Sequence, residues 1–149
     1  MTRTIIAFQG QYRFLSNFYV DPDTGYSVEA LFQAEKCKPG DDMAEQIRVM
    51  SPRKAKVAGR KVQLRDDWEQ IKVQRMAYWV NQKFTGSDFF TGYDYMSALE
   101  NTGHMRLVEG NMWHDQFWGV CDCGRFDKCK QPGSNILGVI LMTIRETLL

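Results

Sequence analysis

With 149 residues, 44% hydrophobic and 25% charged, the chain has the size and composition of one globular domain with a substantial core. Nineteen Lys and Arg against 18 acids leave a net charge of +1, which excludes a global basic field for nucleic acid, although Arg48, Arg53, Lys54, Lys56, Arg60, Lys61 and Arg65 cluster in one short region. The N-terminal apolar run is too short for a signal peptide and no run approaches the ~18 residues that span a bilayer, so a soluble, cytoplasmic protein without a membrane partner is expected, its Cys residues thiols or metal ligands rather than disulfides.

Thr4 to Phe8 is a short β-branched apolar run and predicts a strand. Gly10 to Arg13 reads as a turn, and the aromatic run Phe14 to Val20 as a second strand or a structured loop. Asp21-Pro22-Asp23-Thr24-Gly25 is a strong reversal signal. A helix follows, with Ser27 as N-cap, extending to about Cys37. Val28, Leu31 and Phe32 form its apolar face, while Glu29, Gln33 and Lys36 recur at i, i+4 and i+7 on a second face. That second stripe is either a solvated surface or a functional one. Glu29 falls in the first turn, where free N–H groups and the helix dipole stabilise a carboxylate.

Lys38-Pro39-Gly40 breaks the chain, and Asp41 or Asp42 caps a helix carrying Met43, Ile47 and Met50. Ser51-Pro52 opens another, ending near Gly59. Asp66 or Asp67 caps a long helix from Trp68 to Phe84, and Ser87 starts a shorter one through Phe89, Phe90, Tyr93 and Met96 towards Leu99. After a turn at Asn101-Thr102-Gly103, Met105 to Glu109 predicts a strand. Asn111 to Gln131 has no period and is long for a loop inside a domain, which points to function. Pro132-Gly133-Ser134 turns into a last helix that is apolar nearly all round and is expected at the centre of the core.

Glu29, Glu109 and Asp115 are the acids that lie beside aromatics or at element edges, and paired acids cleave glycosidic bonds. Trp68, Trp118, Phe14, Phe18 and Tyr19 are candidates to stack on a flat ligand, the alternative being core. Cys121, Cys123 and Cys129 with His114 supply a zinc set on paper. Their spacing is not the paired C-x-x-C pattern, and reduced thiols in a loop are the simpler reading. Gly133 and Ser134 begin a helix whose N–H groups suit a phosphate, or serve as an ordinary cap.

Taken in order, Phe14-Leu15-Ser16-Asn17-Phe18, Ser27-Val28-Glu29, Phe32-Gln33-Ala34 and Lys36, Ser51-Pro52, Gly59-Arg60, Leu64-Arg65, Trp68, Lys72, Met76 and Lys83-Phe84 make a pattern. It continues through Leu107-Val108-Glu109-Gly110-Asn111, Asp115, Phe117-Trp118-Gly119, Gly133 to Met142, and Arg145. This series resembles the NADAR/YbiA-like family of N-glycosidases over nearly the whole chain. The resemblance implies an α+β, mostly helical fold with a few short strands in a single compact domain over 1–149. It implies cleavage of the C–N bond of an N-riboside, without metal or redox cofactor. Substrate would be ADP-ribose on guanine or on nucleic acid, or a phosphoribosylamino-pyrimidine intermediate of riboflavin synthesis.

By the same resemblance Glu29 carries the catalytic carboxylate, with Asp115 as a further catalytic candidate; Lys36, on one face with Glu29, is the nearest candidate for a catalytic amine or a phosphate contact. Phe14, Asn17, Phe18, Gln33, Trp68, Trp118, Gly119 and Asn135 are expected to bind substrate. Ala30 departs from the pattern, because many relatives have His directly after the Glu. The alternatives are a module that binds ADP-ribose or a nucleotide without turnover, and a small zinc-stabilised nucleic-acid-binding domain.

Overall fold

The structure, a computed structural model, describes residues 3–149; Met1 and Thr2, which open the N-terminal run, lie outside the described residues. Contacts divide the chain into two units, Asn17–Tyr95, and the chain up to Ser16 together with Met96–Leu149. The fold is mostly helical with two small two-stranded sheets, as expected of an α+β chain. Among the described residues no helix is long and apolar enough to cross a membrane.

The unit from Asn17 to Tyr95 is built on α1 (Val28–Ala34), α2 (Met43–Arg48), α3 (Pro52–Gly59) and α4 (Trp68–Thr85). Two start signals act as read: Ser27 Oγ accepts the Ala30 N–H at 3.1 Å, and Ser51 caps α3 with Pro52 in its first turn, whereas Asp67 before α4 makes no side-chain cap bond and pairs with Arg65 instead. Asp41 rather than Asp42 accepts the Met43 N–H, at 2.9 Å. Helix α1 ends at Ala34, short of Cys37, because the chain beyond it turns into a bridge between Cys37 and Leu64. Ala30, Ala34, Cys37, Ile47 and Ala55 form a seam of mostly small residues joining α1, α2 and α3. Ala30 therefore belongs to the core, fully buried, and its small size is what this seam needs. Glu35, just past α1, is clamped to α4 by Arg75 Nε at 2.7 Å and by the Trp79 indole N–H at 3.3 Å.

The other unit holds β1 (Thr4–Ile5), most of α5 (Tyr95–Glu100), β2 (Arg106–Leu107), β3 (Gly110–Asn111), β4 (Val120–Cys121) and α6 (Ile136–Leu148). Strands β1 and β2 pair in parallel with Ile5 opposite Leu107, and β3 and β4 do the same with Asn111 opposite Cys121. Helix α6 packs on β2, and its Arg145 guanidinium donates to Thr102 Oγ1 at 2.9 Å.

Several sequence expectations change. The first strand stops at Ile5, although Phe8 beyond it is buried as well. The second strand does not form: a 3-10 helix at Gly10–Leu15 buries Phe14 and Leu15 instead. Ser87 does not start a helix but closes a tight turn, its hydroxyl accepting the Phe89 N–H at 3.3 Å, and the helix begins at Tyr95. The last helix is not apolar in use on all sides, for Val139 is 49% exposed while Leu137, Ile140, Leu141 and Ile144 form the buried stripe.

Candidate active site

The Glu29, Gln33 and Lys36 stripe is not a solvated surface. Glu29 is 7% exposed, and Gln33 is buried with it. Gln33 Nε2 donates to Glu29 Oε1 at 2.8 Å, one turn along α1. In this bond the amide nitrogen donates and the carboxylate oxygen accepts, which turns Gln33 Oε1 towards Gly59. Gln33 Oε1 is then left buried without a hydrogen-bond partner among the described residues. Gly59, the last residue of α3, lies so close that a Cβ there would collide with this oxygen. The Asn17 carbonyl receives the Glu29 N–H at 3.1 Å, and the Asn17 amide reaches Met76 Sδ at 3.3 Å, so Asn17 ties the start of α1 to α4.

Lys36 lies just past the end of α1 and is half-buried. Burial pulls its ammonium pKa down; Glu29 opposes this, and Arg60, Lys56 and Lys72 reinforce it. One acid and several cations therefore act on one another across α1, α3 and α4. Such a set suits a substrate with an anionic group beside a centre that becomes positive. Phe18 is exposed, with Lys56 Nζ 5.6 Å from its ring centroid. Trp68 is 5% exposed and packs on Phe32 at 5.1 Å between ring centroids, so it forms the wall between α1 and α4.

The remaining expected residues fall in the other unit. Phe14 is buried within the 3-10 helix. Asp115 Oδ1 accepts the N–H groups of Phe117 and Trp118 at 3.0 and 2.9 Å, which shapes the turn that presents the half-buried Trp118. Asn111 braces the same turn, its amide donating to the Asp115 carbonyl at 2.9 Å and its Oδ1 accepting the Asp115 N–H at 3.1 Å. Gly119 leaves space for the Glu109 side chain, which a Cβ would strike. Asn135 adopts a left-handed conformation before α6; its Oδ1 accepts the Glu109 N–H at 3.0 Å and its Nδ2 donates to the Leu107 carbonyl at 2.9 Å. Its amide thus holds backbone in place. Asn111 lies in the Leu107-Val108-Glu109-Gly110-Asn111 piece of the sequence pattern but was not among the expected site residues.

The chain is similar in sequence and in fold to known proteins. The NADAR domain family matches residues 7–149. The N-glycosidase YbiA of Escherichia coli K12 is 33% identical over 158 aligned positions, covering 99% of this chain and 91% of that protein. The N-glycosidase Npun_R5314 of Nostoc punctiforme is 36% identical over 125 residues, covering 80% of this chain and 72% of that protein. The NMR structure of Escherichia coli YbiA superposes with a TM-score of 0.73 at 31% identity, covering 99% of this chain and 86% of that one.

Proposed function

The chain belongs to the NADAR domain family, and from that membership we propose that it is a cytoplasmic N-glycosidase, residues 1–149 acting as one catalytic domain. Its substrate is an N-riboside bearing phosphate, either ADP-ribose joined to guanine or to nucleic acid, or a phosphoribosylamino-pyrimidine. The observation that carries this reading is the buried Glu29 carboxylate, held by Gln33 Nε2 at 2.8 Å and flanked electrostatically by Lys36.

The scissile bond joins ribose C1 to an amine nitrogen. As it breaks, the electron pair leaves with nitrogen, which takes up a proton, and positive charge develops at C1 and the ring oxygen. Glu29 stabilises that charge, and water then adds at C1 and loses a proton. In a second route the Lys36 amine attacks C1, the bond from C1 to the leaving nitrogen breaks and that nitrogen takes up a proton; the ring C1–O bond then opens to give an imine between Lys36 and C1, which water hydrolyses to free sugar and the lysine amine. The lowered pKa of Lys36 favours a free amine and supports this route; Lys56, Arg60 and Lys72 then supply the phosphate contacts. Both substrate classes share the ribosyl amine and the phosphate, so this cluster supports the class without choosing between them.

Resemblance also supports catalytic participation by Asp115, through the turn that its carboxylate shapes, and a substrate contact by Trp118. The test is turnover by mass spectrometry on ADP-ribosylated guanosine or DNA, and separately on the phosphoribosylamino-pyrimidine. Release of free ribosyl product by the native protein and its loss in Glu29→Ala is expected. Equal turnover by Glu29→Ala overturns the mechanism, and binding without turnover by the native protein indicates a binding module instead.

A further inference from the structure

The loop between β3 and β4 and its continuation to α6 bring four side chains together that the glycosidase reading does not use. The ligand atoms of His114, Cys121, Cys123 and Cys129 all lie within 4.8 Å of one another. His114 Nδ1 is 3.3 Å from Cys129 Sγ, 3.5 Å from Cys123 Sγ and 3.7 Å from Cys121 Sγ. A tetrahedral zinc ion with bonds of about 2.3 Å to sulfur and about 2.0 Å to nitrogen places those atoms roughly 3.5 Å apart. The observed separations bracket that value. No pair of these cysteines is joined in a disulfide.

The surrounding backbone is built to hold this set. Pairing of β3 with β4 fixes Cys121 opposite Asn111. Gln116 clamps both ends of the cysteine segment: its Oε1 accepts the Cys121 N–H at 2.8 Å, and its Nε2 donates to the carbonyls of Lys128 and Gln131 at 2.6 and 2.7 Å. The Arg125 N–H points at Cys123 Sγ at 3.5 Å, from a turn in which Gly124 is left-handed, and a backbone amide directed at sulfur supports a thiolate ligand. His114 itself has φ of 72°, a strained value for a residue with a side chain, and that conformation accompanies an imidazole aimed at all three sulfurs. The edge-on Phe126 ring at 4.7 Å buttresses the imidazole.

We propose that His114 Nδ1 and the Sγ atoms of Cys121, Cys123 and Cys129 hold one structural zinc ion. Three thiolates and one imidazole are the soft donor set that selects zinc, and four protein ligands leave no position open for catalysis. Binding releases the three thiol protons to solvent, requires neutral His114 and involves no redox change. The ion ties the loop that carries Asp115 and Trp118 to β4, replacing the regular structure this stretch lacks.

Metal content of protein purified without added zinc tests this. About one zinc per chain is expected, retained through gel filtration, and less than about a tenth of that in a Cys121→Ser, Cys123→Ser double variant. Should that variant fail to fold, the native chain decides the matter. Exchange with cobalt is expected to give thiolate-to-metal charge-transfer bands and the intense visible absorption of a tetrahedral site. A chelator is expected to free three thiols and lower Tm. Native protein that holds no stoichiometric zinc and gives no cobalt spectrum overturns the proposal, as does stoichiometric iron or copper, or a mass two hydrogens lighter that reports a disulfide. None of these readouts depends on glycosidase turnover.

Discussion

Gln33 Nε2 donates to Glu29 Oε1 at 2.8 Å, while Gln33 Oε1 is buried with no partner among the described residues. The same amide thus steadies the acid and carries an unmet acceptor. Leaving such an atom unsatisfied costs about 1–3 kcal/mol, and removing a donor from a buried carboxylate costs a similar amount. Gln33→Leu combines both changes with opposite signs. We expect its unfolding free energy to stay within about 1 kcal/mol of native, while kcat falls by at least about tenfold. A urea melt alongside steady-state kinetics separates the two; unchanged kcat would show that Gln33 is merely structural.

Gly59 constrains that amide from α3. Alanine in a helix gains about 1 kcal/mol over glycine, yet here its Cβ collides with Gln33 Oε1. Gly59→Ala is expected to lose about 1–3 kcal/mol of stability and to lower activity by displacing Gln33. Adding Gln33→Ala removes the colliding oxygen, so the double variant should regain stability without regaining activity. Additive stability losses in a double-mutant cycle would refute the contact.

This pair shows what the sequence disclosed and what it withheld. Helical spacing alone put Glu29 and Gln33 on one stripe, and Ser27, Ser51-Pro52 and Trp68 marked the helix starts, because caps and periodicity are local. Burial of that stripe depends on α3 and α4 closing over it, and no local signal reports that Gly59 meets Gln33. Strands β3 and β4 escaped notice because Gly110–Asn111 and Val120–Cys121 sit in no β-branched apolar run of the kind that surrounds β1 and β2. The Gln116 bonds that hold the cysteine segment are likewise non-local, so the thiols looked like scattered loop residues at a C-x-C spacing. Ala30 looked like a change at the active centre, whereas it fills a seam with Ala34, Ile47 and Ala55.

Lys36 gives a prediction about charge. Burial lowers its pKa most, Glu29 raises it, and Arg60, Lys56 and Lys72 lower it further. If its free amine attacks the sugar, activity rises with pH as the ammonium loses its proton. Removing a neighbouring cation with Arg60→Gln raises that pKa, so the rising limb of kcat against pH should move to higher pH. Lys36→Arg keeps the charge but has no free amine at any accessible pH, and should lose about 10²-fold or more in kcat. Near-native kcat in Lys36→Arg, with a larger KM on losing the charge in Lys36→Met, would assign Lys36 to phosphate binding.

Lys83 of α4 is 2% exposed, and burial pulls its pKa down to about 7, with the Asp21 carboxylate opposing. Its Nζ lies 5.2–5.6 Å from the ring centroids of Phe84, Tyr95 and Tyr19. Burial alone would raise the pKa of Asp21, but N–H groups of Thr24, Gly92 and Asp23 and the Tyr95 hydroxyl outweigh it and keep the carboxylate ionised. Unfolded lysine titrates near 10.4, so between about pH 7 and 10 the unfolded chain binds more protons than the folded one, and stability rises with pH through this window. Below pH 7 the ammonium is buried charged and the penalty is complete. Above about pH 10 the trend reverses, because burial also raises the Tyr95 pKa and the unfolded phenol ionises first. Lys83→Met removes the lysine contribution, so urea midpoints from pH 6 to 10 should climb in the native protein and flatten in the variant. At pH 6 the variant is expected to be more stable by about 1–3 kcal/mol, because a buried charge is replaced by an apolar chain of similar volume. Parallel midpoint curves for the two proteins would show that Lys83 stays charged throughout.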